Sequence, residues 1–172
     1  MPKQTGYFNI ELPKKSYNSF ETPGFPYTFE VPAYCKAQRD SLFFNEATEN
    51  PFWINIVFPE FNAQINITYK DFTGIDELDK LIADTYKLTF KHTIRADYID
   101  ETPVSKPGIG GMIYEVGGNA ATPLQFYLTD STHHFLRGAL YFNAEPNIDS
   151  IAPVLEFLKE DVLRMISTTA WQ

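Results

Sequence analysis

The chain has 172 residues, 44% of them hydrophobic and 16% aromatic, which fits one globular domain and excludes wholesale disorder. With 14 basic against 22 acidic residues the formal charge is −8, a balance that repels phosphate backbones and argues against nucleic-acid binding. No apolar run approaches the roughly 20 residues that a membrane-spanning helix requires.

Prolines at 2, 13, 23, 26 and 32 cut the first 50 residues into short extended pieces. Residues 1–6 read as linker or added residues, and no signal peptide opens the chain. Phe8, Ile10 and Leu12 alternate with polar residues as in a half-buried strand, and Tyr27 to Val31 does the same. Cys35 is the single cysteine, so neither an intrachain disulfide nor a cysteine zinc cluster can form. Its context, Val31-Pro32-Ala33-Tyr34, is not that of a lipid-attachment cysteine. Residues 36–50 are polar apart from Leu42-Phe43-Phe44 and read as loop. Asp40 to Tyr69 holds four acids and no Lys or Arg, a candidate acidic patch that reads more readily as a solvated face.

The strongest hairpin signal is Phe52 to Phe58, the turn Pro59-Glu60-Phe61-Asn62, and the strict alternation of Ala63, Ile65, Ile67 and Tyr69. A one-residue slip would bury Gln64, Asn66 and Thr68, so register is well specified. A helix follows, capped by Thr73, with Ile75, Leu78, Leu81, Ile82 and Tyr86 as its apolar stripe. A strand is expected at 94–99, then a Pro/Gly loop over 103–108. Three strands come next: Met112 to Val116, Leu124 to Thr129 and Phe135 to Phe142, broken by Gly117-Gly118-Asn119 and by Asp130-Ser131-Thr132. A last helix starts near Ser150 with Pro153 in its first turn and a stripe of Ile151, Val154, Leu155, Leu158, Val162 and Ile166. Strands joined by tight turns, with one helix inserted and one terminal, give a single α+β domain over residues 1–172: a mostly antiparallel sheet covered by helices.

Few residues offer chemistry. His133 and His134 are adjacent on a strand and point to opposite faces, which makes them poor partners for one ion. Gly117-Gly118-Asn119 lacks the spacing of a nucleotide loop and reads as a turn. Ser131 has no nucleophile elbow around it. The acids Glu160, Asp161, Asp97 and Asp100 are expected on exposed surface, which leaves a glycosidase pair unsupported. Asn66-Ile67-Thr68 matches a glycosylation sequon but falls inside a strand. Arg137 should pair with an acid, Asp130 being one candidate. No catalytic residue, metal ligand or cofactor site is expected.

A resemblance carries the functional expectation. Tyr114 to Ala121, Gln125 to Ser131, His134 to Asn143, Pro146-Asn147 and Asp149 to Val154 resemble the gliding motility lipoprotein GldD family of Bacteroidota. Gly6-Tyr7-Phe8, Pro26 to Phe29, Phe61-Asn62-Ala63 and Lys91 to Asp97 agree, so the likeness spans nearly the whole chain. It implies a non-enzymatic lipoprotein of the cell envelope, facing the periplasm and required for gliding and the associated type IX secretion machinery. Its implied partners are other envelope proteins of that machinery, and a membrane reached through an N-terminal lipid anchor absent from this chain. Family members carry a signal peptide and a lipidated cysteine before the Gly-Tyr-Phe block, where this chain begins Met-Pro-Lys-Gln-Thr. The element order is also similar to the Mog1/PsbP-like sandwich.

Within that expectation the turn residues Asn119, Asp130, His134 and Asn143, together with Arg137, are the candidate partner-binding set. The alternative is a periplasmic small-ligand-binding domain built around Trp53, Tyr127 and Tyr141.

Overall fold

Alternation of apolar side chains builds most of the protein. The computed structural model describes residues 12–39, 42–43, 46–47, 52–90, 96–118, 120, 122–143 and 148–172. Its strands are β1 (Tyr17–Phe20), β2 (Tyr27–Pro32), β3 (Lys36–Arg39), β4 (Leu42–Phe43), β5 (Glu46–Ala47), β6 (Ile54–Phe58), β7 (Ala63–Asp71), β8 (Ala96–Lys106), β9 (Ile109–Gly118), β10 (Leu124–Thr129), β11 (His134–Phe142) and β12 (Ala170–Trp171). The helices are α1 (Ile75–Phe90), between β7 and β8, and α2 (Ile148–Thr168), between β11 and β12.

Seven strands form one sheet in the order β3-β6-β7-β11-β10-β9-β8, every neighbour antiparallel. A smaller sheet, β1-β2-β12, joins an early hairpin to the last strand, and β4 pairs with β5. The fold is α+β, a mostly antiparallel sheet with helices on it.

The β6–β7 hairpin turns where expected. Pro59–Phe61 make a 3-10 turn, and Asn62, at φ 51° in the left-handed region, returns its N–H to the Pro59 carbonyl. That places Ile54 opposite Ile67 and Phe58 opposite Ala63, so one face of both strands is apolar.

The large sheet buries two faces. On one, Ile56, Ile65, Leu128, Leu136 and Leu140 pack with Leu158, Val162 and Met165 of α2 and with Tyr27, Phe29 and Val31 of β2. On the other, Tyr114, Tyr127 and Phe135 pack with Phe72 and Leu78 beneath α1. Each fully buried Leu or Ile contributes about 1.5–3 kcal/mol, so the larger cluster dominates stability. Ion pairs pin α2 further: Lys159 to Glu115 of β9 at 2.7 Å and Arg164 to Glu30 of β2 at 2.5 Å.

Several expectations need correction. Residues 103–106 are not loop; β8 runs on to Lys106, and only Pro107-Gly108 turn before β9. Lys36–Arg39 form an exposed edge strand of the large sheet where loop was expected. Gly117 and Gly118 are the last residues of β9, where the break before the next strand was expected. The last helix begins at Ile148, so Ser150 lies inside it. Gly74, at φ 86°, precedes α1, and the Thr73 N–H donates to the Glu77 carboxylate at 2.9 Å. The α1 stripe is also rotated. Ile75 is 63% and Tyr86 45% exposed, while Thr85 and Thr89 are buried. The strand expected around residues 7–12 and the positions 94–95 lie outside the described residues apart from Leu12, which is exposed.

Candidate functional site

The β10–β11 turn is built around one carboxylate. Asp130 Oδ1 accepts the backbone N–H groups of Thr132, His133 and His134 at 2.9, 2.8 and 2.9 Å. Burial alone would raise its pKa, but these three N–H donors and the Thr132 side chain hold the carboxyl down at about 2. Ser131 sits in the left-handed region at φ 69°, its N–H bonded to Thr129 Oγ1 at 3.0 Å. Ser131, Thr132 and His133 are exposed, so the tip projects while its backbone is held from within.

His134 is committed inward. Its Nδ1 lies 2.6 Å from the Tyr69 hydroxyl, and its ring stacks on Trp171 at 4.8 Å with planes 7° apart. Its Nε2 is 4.0 Å from Asp130 Oδ2. The ring therefore joins the turn to β7 and to the last strand, as a histidine at the edge of the core. His133, which the sequence offered only as a weak ligand, is the histidine left facing outward.

Arg137 lies mid-strand on β11, opposite Tyr127 of β10 and Thr68 of β7. It does not reach Asp130. Its guanidinium donates to Gln125 Oε1 at 2.6 Å and hydrogen-bonds the Tyr141 side chain. Burial lowers its pKa, an effect the Tyr141 contact opposes. Gln125 is fully buried, and its amide nitrogen donates to Thr122 Oγ1 at 3.1 Å, which fixes its oxygen toward Arg137. Thr89 of α1 approaches the same oxygen at 3.4 Å. A polar inset thus crosses from the sheet to the helix. Gln125, Thr85 and Thr89 were missed in the sequence; a glutamine inside an otherwise apolar strand was the available signal.

The acids read as surface groups divide. Glu160 and Asp100 are exposed, but Asp161 has no exposure at all. It accepts from Lys15 Nζ at 2.8 Å, from the Tyr17 hydroxyl at 2.7 Å and from the Tyr34 hydroxyl. These contacts fasten the segment before β1 to α2. They are structural, since every oxygen is engaged by the protein's own donors.

Among the candidate residues, the structure brings Asp130 and His134 together and sets the others apart. Asn143 is exposed at the opposite end of β11, its N–H bonded to the Asn62 carbonyl. Arg137 is half-buried and lines a cleft with residues of α1, and Asn119 lies outside the described residues. Of the three aromatics, Tyr127 stacks on Phe135 at 5.4 Å in the core under α1. Trp53 lines a cleft that also contains Arg137, and Tyr141 contacts that guanidinium. Among the described residues, no group of three or more His, Cys, Asp or Glu is placed to hold a metal ion.

A family model described as gliding motility lipoprotein GldD matches residues 1–171, and the chain belongs to that family. A lipoprotein family places it at a membrane of the cell envelope. A search of curated proteins finds no match. Among solved structures, the solution structure of cyanobacterial PsbP (CyanoP) from Synechocystis sp. PCC 6803 superposes with a TM-score of 0.56 at 10% identity, covering 94% of this chain and 95% of that one. At that identity the likeness shows the fold alone, a PsbP-like sandwich.

Proposed function

From its membership in the GldD family, we propose that this domain serves gliding motility, and the type IX secretion machinery associated with it, as a non-catalytic protein-docking module. It faces the periplasm from its membrane anchor and binds another protein of the same envelope apparatus. The observation that supports docking is the β10–β11 tip. Ser131, Thr132 and His133 are exposed on a turn that Asp130 already holds with three backbone hydrogen bonds. A preformed loop loses little conformational freedom when it binds, and loops on a rigid scaffold commonly carry recognition.

The test uses the full-length lipoprotein in its own cells. Thr132→Ala combined with His133→Ala should lower the melting temperature by no more than about 4 °C, because both side chains are exposed and only the Thr132 hydrogen bond to Asp130 is lost. Colony spreading and delivery of secreted proteins to the surface should both fall. A photo-crosslinking residue at position 132 should capture an envelope protein in the wild-type background. Normal spreading and secretion by the double variant would remove the tip from this reading.

A further inference from the structure

One half-buried cation has no counter-ion among the described residues. The partners of Arg137, Gln125 Oε1 and the Tyr141 side chain, are both neutral, and its Nε is shut from solvent without any acceptor. The described ion pairs involve Lys15, Lys159, Arg164 and His134, never Arg137. A guanidinium does not escape partial burial by releasing its proton, so an anion brought beside it would replace hydration that burial has removed.

Room for such a group adjoins it. A cleft of about 170 Å³ opens between α1 and strands β7 and β11, with Arg137 in its lining and apolar walls from Trp53, Leu81 and Phe135. Lys70 and Asp84 also line it, both exposed. Apolar cavities of about 150 Å³ admit benzene, so the space suits a body of one ring or a short branched chain. The guanidinium fork matches a carboxylate in two parallel hydrogen bonds. A single half-buried cation beside apolar walls favours a monoanion over a dianion such as phosphate.

We infer that this cleft binds a small carboxylic acid with an apolar body, its carboxylate paired with Arg137 and its body against Trp53, Leu81 and Phe135. The site lies on the face under α1, apart from the β10–β11 tip, so it does not depend on the docking reading. It gives Arg137 the partner the strand sequence called for, supplied from outside the chain.

The experiment titrates isotope-labelled whole chain at constant ionic strength with sodium benzoate, neutral benzamide, sodium phosphate and the peptide acetyl-Ala-Glu-Ala-amide. Benzoate should give saturable shifts at the Arg137 Nε–H and the Leu81 methyls, and benzamide, phosphate and peptide should bind at least about tenfold more weakly. Arg137→Met should weaken benzoate by about tenfold or more, and so should Leu81→Trp, which fills the cleft and keeps the charge. If Arg137→Met fails to fold, Leu81→Trp and the benzoate-to-benzamide ratio decide. Absence of saturation by about 50 mM benzoate would overturn the inference, as would benzamide binding as well as benzoate. Tighter phosphate binding would overturn the monocarboxylate assignment. Tighter peptide binding would overturn the small acid and assign the carboxylate to a protein side chain.

Discussion

Lys15 and Asp161 stand 146 positions apart in the chain and 2.8 Å apart in space. The ammonium also donates to the Phe157 carbonyl at 2.7 Å and lies 3.4 Å from the centre of the Phe157 ring. With Tyr17 and Tyr34 on the same carboxylate, this group holds the segment before β1 against α2. Removing one partner of a buried pair leaves the other charge uncompensated, at a cost of about 3–5 kcal/mol. The Lys15 side chain keeps 26% exposure, which moves its value to the low end. Lys15→Met is expected to cost about 3 kcal/mol in urea unfolding, while Asp161→Asn, which leaves a lysine able to reach water, costs about 2 kcal/mol. A Lys15→Met loss below about 1 kcal/mol would mean the pair is no more than a surface contact.

The Asp130 turn should show a distinctive acid titration. The folded carboxyl titrates at about 2, below its ordinary 3.8, so the native state favours the ionised form. Its contribution to stability is complete above the unfolded value and is lost as pH falls through 3.8 toward 2. The amide resonances of Thr132, His133 and His134 should therefore move together with a midpoint at about 2. Asp130→Asn should abolish that step and lower stability at neutral pH, with little difference from wild type at the acid end. A wild-type midpoint at 3.8 would show that the three hydrogen bonds do not persist in solution.

Cys35 is expected to be chemically quiet. Burial, reinforced by the nearby Asp161 carboxylate, pushes its thiol from 9.0 to about 11. At pH 8 the reactive thiolate is then about a hundredfold scarcer than in an unfolded chain. Iodoacetamide should label the native protein at about one hundredth of the rate measured in urea. Native labelling within a few-fold of that rate would show that partial burial does not shield the thiol.

Two glycines in the large sheet should differ in kind. A Cβ at Gly138 would fall on the ring of Phe126, a side chain that can shrink or turn. A Cβ at Gly111 would fall on the backbone carbonyl of Tyr127, which cannot yield without parting β9 from β10. Gly138→Ala should cost about 1–3 kcal/mol and be partly rescued by Phe126→Leu; Gly111→Ala should cost more and resist that rescue. Rescue of both, or of neither, in thermal unfolding would refute the distinction.

The alternating strands were legible because the period of two was kept without interruption. Ile65, Ile67 and Tyr69 could only face one way, and β10 was read to its exact ends. α1 was harder, since its buried face carries Thr85 and Thr89, whose hydroxyls bond back to the carbonyls of Leu81 and Thr85. A stripe counted only from apolar residues is drawn toward Ile75 and Tyr86 instead. Asp161 looked exposed because acids usually are; its burial depends on Lys15, which no local window contains. For the same reason Arg137 could be recognised as needing a partner, but Asp130 was chosen by proximity in sequence. The pleat sends position 137 and the turn carboxylate to different surroundings. The short β12 has no signal beyond Trp171, because two residues form a strand only when a partner waits.

That partner sets an order of events. β12 completes the small sheet by pairing Ala170 with Thr28 and Trp171 with Tyr27, and the Gln172 N–H bonds the Pro26 carbonyl. Lys106 meanwhile holds the end of α2 through the Ser167 and Thr169 carbonyls. A chain made or threaded from its N-terminus carries β1 and β2 long before it has the strand that closes their open edge. Until residues 170–172 arrive, that edge stays open, and their pairing with β2 is what closes the small sheet.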